Sequence, residues 1–169
     1  VSLVRLQPAS HVRAAGCLMA SGRDSLRTAL RSVIASINGV GGFETNLAAA
    51  VYDFRPEPFA PELPPYYAAI VEEKEERGPM AFKTVESRVR WMIMLFASYQ
   101  SPKTSADTVS QGVADLERAI GVKPDLDSPS LKVRCAITET EIVRGDELGP
   151  WAWAYVTVEA YYRFGQGNP

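Results

Sequence analysis

The sequence predicts an α+β fold: a mixed, mostly antiparallel β-sheet with two helices packed on one face. Three observations carry that expectation. Apolar residues recur at 3- and 4-residue spacing in two separated stretches, near 24–37 and 106–120, as amphipathic helices require. Two-residue alternation marks long strands near 81–99 and 151–164. The predicted strands also follow one another directly, without the βαβ alternation that builds parallel sheets.

Residues 1–20 are expected to form a loose N-terminal arm ahead of one domain at 21–169. Arg5, Arg13 and the apolar patch at 14–20 only partly match a leader. His11 and Arg13 interrupt the stretch and no A-x-A cleavage site follows, so no signal peptide is expected; Met19 offers an alternative start. The first helix is expected over 24–37, with Asp24 as its N-cap and Asn38-Gly39 closing it. Leu26, Ala29, Leu30, Val33, Ile34 and Ile37 form its apolar stripe, while Arg23, Arg27 and Arg31 lie along another. Residues 43–54 are ambiguous, because Leu47 and the three alanines after it favour helix and Val51-Tyr52 favours strand.

Prolines at 56, 58, 61, 64 and 65 then hold the chain extended. The ribbon reads as a semi-rigid connector, although Phe59 and Leu63 are more than a spacer needs. Tyr66–Val71 reads as a strand entering a charged hairpin loop, Glu72, Glu73, Lys74, Glu75, Glu76 and Arg77, followed by Gly78-Pro79. The return strand places Val85, Val89, Trp91, Ile93, Leu95, Ala97 and Tyr99 on one side, and Glu86, Arg88, Arg90, Met92, Met94 and Phe96 on the other. Its middle is therefore buried on both faces, so something must cover the second face.

The second helix is expected to be capped by Thr104 or Ser105, marked by Val109, Val113, Leu116, Glu117 and Ile120, with Gly121 at its end. Residues 123–130 read as loop, 131–138 as a half-buried strand continuing toward Val143, and 145–150 as a turn. The last strand alternates Ala152, Ala154, Val156, Val158, Ala160, Tyr162 and Phe164 with Trp153, Tyr155, Thr157, Glu159, Tyr161 and Arg163.

Chemistry is sparse in this chain. The net charge is −2, from 18 basic and 20 acidic residues, which argues against a dedicated nucleic-acid binder. Cys17 and Cys135 are far apart and form no CxxC pair, so two reduced thiols are expected. No apolar run approaches the ~18 residues a bilayer span needs. His11 is the only histidine, and no metal-ligand spacing, phosphate loop, nucleophile elbow or calcium loop is present. No catalytic residue, metal or cofactor is expected. The aromatic residues Trp151, Trp153, Tyr155 and Tyr161 stand out instead. Either they pack under the helices or they form an inter-subunit surface, where Trp and Tyr combine apolar area with a polar tip.

The order of these features resembles the tail terminator (tail completion) proteins of long-tailed bacteriophages. The likeness runs over about residues 24–164. It joins the short helix at 25–34, the Pro-preceded strand at 62–71, the charged hairpin and the long strand at 88–96. The helix at 106–120 and the aromatic strand at 153–162 complete it. The long proline ribbon and the first twenty residues depart from the shortest members. The resemblance implies a structural virion protein of the tail or neck, assembled in the host cytoplasm. It would form a hexameric ring that caps the tail tube and joins it to the head connector. The implied partners are further copies of itself, the major tail tube protein and a head-completion protein. DNA would pass through the lumen unbound, which neutral or acidic walls favour because basic ones grip phosphates. Glu72–Arg77 is the expected lumen or tube-facing loop, and Phe59 and Leu63 are expected neighbour contacts. Two alternatives stand beside this reading: another ring-forming neck or tail-completion protein, and a small-molecule-binding or enzymatic α+β domain.

Overall fold

The computed structural model describes residues 22–57, 62–78, 84–99, 101–127, 133–144 and 150–165. The expected arm at 1–20 and Phe59 lie outside the described residues. Helix α1 spans Gly22–Ala35 and buries Leu26, Leu30, Val33 and Ile34, the apolar stripe its spacing predicts. Asp24 is not the cap; it sits inside the first turn, where a carboxylate suits the positive end of the helix dipole. The helix tightens at its end, with Ser36 N–H donating to the Val33 carbonyl and Ile37 N–H to that of Ile34. Gly39, at φ +74, then reverses the chain where a Cβ would be strained.

Both halves of the ambiguous segment are realised. Leu47–Ala49 makes one 3-10 turn, and Val51–Tyr52 is strand β1. The loop before them is tied down by Asp115, which is only 2% exposed. Its carboxylate accepts the Glu44 N–H at 2.9 Å, the Thr45 N–H at 2.7 Å and the Thr45 hydroxyl at 2.8 Å. A buried helical aspartate is tolerable because these donors replace its lost water.

Asp115 belongs to α2, Pro102–Val122. Ser101, not Thr104 or Ser105, takes the N-cap position, and Pro102 opens the helix where a missing N–H is no loss. Ser105 is instead a buried link: its hydroxyl accepts the Tyr99 N–H at 2.9 Å and donates to the Pro150 carbonyl at 2.7 Å.

The remaining strands are β2 (Tyr66–Arg77), β3 (Thr84–Ser98), β4 (Arg134–Arg144) and β5 (Trp151–Gly165). They form a mixed sheet in the order β1-β2-β3-β5-β4, parallel only between β1 and β2. Both helices pack on one face, over Trp91, Ile93, Leu95, Ala154, Val156 and Val158. The α+β arrangement is therefore as predicted. Alanines at 68, 97, 152, 154 and 160 keep that face low, so the helices approach closely. Closest is Gly112 of α2, where a Cβ would stand 1.9 Å from the Tyr66 hydroxyl.

Two further expectations are corrected. The run Glu72–Arg77 is not a hairpin loop but the second half of β2, paired residue for residue with Met92 back to Ser87. Its composition disfavours strand, and cross-strand partners override that weak preference. Arg23 bonds Glu73 at 3.1 Å from α1, Tyr162 donates to Glu75 at 2.8 Å, and Lys74 meets Glu76 at 2.9 Å. The second correction concerns the aromatics of β5. Trp151, Trp153 and Tyr155 do not pack under the helices; they belong to a separate cluster on the opposite face.

Candidate interaction surface on the open sheet face

The strand registers lay out this second face as transverse rows. One row runs Tyr67, Phe96, Trp153, Val143; the next runs Tyr52, Ala69, Met94, Tyr155, Glu141. After them come Glu72, Met92, Thr157, Glu139, then Lys74, Arg90, Glu159, Ala136, and last Glu76, Arg88, Tyr161, Arg134. The face is thus apolar and aromatic at one end and ionic at the other. Neither helix contributes to its apolar cluster.

At the apolar end the side chains cover one another. Tyr67 stacks on Phe96 with centroids 5.1 Å apart, Tyr52 meets Tyr67 edge-on at 5.6 Å, and Trp151 stacks on Trp153 at 4.3 Å. Leu63 packs against this cluster half-buried, as do Trp151, Trp153 and Tyr155. Met94 and Phe96 are buried as their alternation requires, with aromatic rings lying on the sheet among the groups that cover them.

At the ionic end Glu159 is 3% exposed on the face away from α1 and α2. Arg88 grips it through Nε at 3.0 Å and Nη2 at 2.6 Å, and Arg90 through Nε at 2.9 Å. Tyr161 donates to the same carboxylate at 3.3 Å and lies beneath the Arg88 guanidinium, 5.7 Å from its ring centroid. The Arg88 bonds hold the Glu159 carboxyl below its usual range against the opposing effect of burial, with Arg90 adding to them. Glu75, on the helix side, is opposed by burial too. Hydrogen bonds from Tyr162, Arg77 and Ser87 outweigh it and lower that carboxyl. Burial, then the bond to Glu75, pushes the Tyr162 hydroxyl up to about 12.

A groove of about 520 Å³ runs along this end, lined by Glu76, Glu86, Arg88, Arg134, Tyr161 and Arg163 among others. Its charges are largely spent on one another: Arg88 on Glu159, and Arg163 on Glu86 at 2.5 Å. The displaced carboxyls all move downward, so none is poised as a general acid or base near neutrality. Burial raises the Cys135 thiol to about 12, away from the reactive range. Among the described residues no group of three or more His, Cys, Asp or Glu side chains could hold a metal ion, and no helix is long and apolar enough to cross a membrane.

The sequence-predicted site residues thus divide. Leu63, Trp151, Trp153 and Tyr155 come together, whereas Tyr161 stands in the ionic region and is 52% exposed. The charged run is split by the sheet. Glu73, Glu75 and Arg77 share the register side of Trp91, Val89 and Ser87, and Glu72, Lys74 and Glu76 share that of Met92, Arg90 and Arg88. Sequence reasoning missed Tyr52, Tyr67 and the Arg88–Glu159–Arg90 cluster. The two-sided burial of Met94 and Phe96 was the one signal that a second packed layer existed.

No protein-family model matches the chain, and no curated protein matches it. Among solved structures the fold is similar to that of a chain in the virion of a native gene transfer agent (GTA) particle. The TM-score is 0.53 at 13% identity, over 83% of this chain and 98% of that one. The likeness establishes a shared fold.

Proposed function

We propose that this chain is a structural virion protein of the tail terminator type. In this reading it forms a hexameric ring that caps the tail tube, stops its elongation and joins the tail to the head connector. The observation that carries the reading is the open sheet face. A five-stranded sheet with helices on one side presents a band of half-buried Trp and Tyr on the other. Such residues are favoured where one protein surface meets another. The kinship of fold with a chain of a virion particle supports the same reading. Self-paired arginines and carboxylates, and a thiol pushed out of the reactive range, favour a structural role over a catalytic one. DNA passing the ring is expected to meet a nearly neutral protein and slide.

The test is electron microscopy of particles assembled without this chain. Tails of uncontrolled length, detached from filled heads, are expected. Tails of normal length joined to heads would overturn the reading.

A further inference from the structure

The two lateral edges of the open face carry complementary groups. At the β1 edge Phe54 is 64% exposed and Arg55 is exposed beside it. Their backbone is held from both sides. Arg27 donates to the Asp53 carbonyl at 2.6 Å, Arg31 pairs with the Asp53 carboxylate, and Pro56 is buried. The ring of Tyr52 meets Phe54 at 6.2 Å and Tyr67 at 5.6 Å, which places Phe54 at the rim of the aromatic band. At the β4 edge Glu139 and Glu141 are exposed, and Val143 is half-buried in the row of Trp153. No ion pair involves Arg55, Glu139 or Glu141 among the described residues. Tyr52 and Glu141 end the same transverse row, and Arg55 follows Tyr52 by three residues, near enough for its charge to act on the Tyr67 hydroxyl of the adjacent row.

We infer that a second copy of this chain docks edge to edge on this face, Arg55 of one copy against Glu141 of the next, with Phe54 seated on Val143 and Trp153. The inference rests on the ring reading and names the contact that builds the ring. The two edges differ, so the contact is heterologous and propagates in one direction until it closes. Side chains carry it, because backbone pairing between copies is blunted at both sides. β1 offers only the two residues Val51 and Tyr52, and β4 is bulged between Ile137 and Glu139.

Charge reversal tests it by native mass spectrometry and light scattering. Wild type is expected as a closed oligomer. Arg55→Glu alone and Glu141→Arg alone each face like charge with like and raise the concentration needed for assembly by at least roughly tenfold. Circular dichroism melting of either variant, recorded below the concentration at which wild type assembles, should match that of wild type, since both side chains are exposed. An equimolar mixture of the two variants restores the ring, because every contact is then opposite in charge when the copies alternate. A wild type that stays monomeric at every concentration overturns the contact. So do variants that assemble normally, or folded variants that fail to rescue each other. A wild-type ring with unaffected variants removes this contact and leaves the ring reading standing, whereas normal tails without the chain remove the virion reading itself.

Discussion

The two ends of the open sheet face bury side chains by different means. At one end Tyr67 and Phe96 are 0% and 5% exposed, covered by neighbouring apolar and aromatic side chains. At the other end Glu159 is as deeply buried, covered by the arginines that neutralise it, themselves 36% and 45% exposed. The first end is a small hydrophobic core on the side of the sheet away from the helices. The second is a solvated lattice around one buried charge. Apolar burial adds stability in proportion to area, whereas ion pairing near the surface mainly holds geometry, because desolvation and screening offset the attraction. The aromatic end should therefore carry stability and the ionic end should fix side-chain positions.

The largest expected effect is at the aromatic end. Phe96→Ala removes a ring stacked on Tyr67 and should destabilise the fold by about 3–5 kcal/mol, read as the urea midpoint at constant slope. A loss below about 1 kcal/mol would show that this cluster is not core. Glu159→Gln should matter less, by about 1–2 kcal/mol, between the values for exposed and fully buried pairs.

Acid titration sharpens the same contrast. The folded Glu159 carboxyl lies below its ordinary value of 4.5, so its stabilisation is complete above that pH and fades as pH falls through the folded value. Glu75, lowered as well, acts in the same direction. Stability should thus fall on acidification below about pH 4.5, and less steeply in Glu159→Gln; equal slopes in the two proteins would deny Glu159 its role. Smallest of all is Lys74→Ala. Lys74 shares the row of Glu159 but its side chain is 60% exposed, so under about 0.5 kcal/mol is expected at any salt concentration.

Much of the architecture was legible. Leu26, Leu30, Val33 and Ile34 recur at the helical period and are buried together. The alternation along β3 and β5 sorted their buried apolar residues to the observed sides. The charged run misled because Glu and Lys are poor strand formers in isolation, while its pairing with Ser87–Met92 and its contacts to Arg23 and Tyr162 come from elsewhere in the chain. Asp115 was silent for the same reason, since its donors lie 70 and 71 residues away.

What the sequence determined by itself is periodicity, which is local. Spacing of 3.6 or 2 residues depends only on backbone geometry, so it reveals elements and the two faces of each strand. What only the tertiary structure decided is which face the helices take and which strands lie side by side. Alternation is symmetric: the alanine side and the tryptophan side of β5 are equally good candidates until Gly112 settles against Tyr66 and Leu116 packs into the alanine-lined core. Register then brings Tyr67, Phe96 and Trp153 into one row and Arg88 and Arg90 onto Glu159, assembling a surface from residues far apart in the chain.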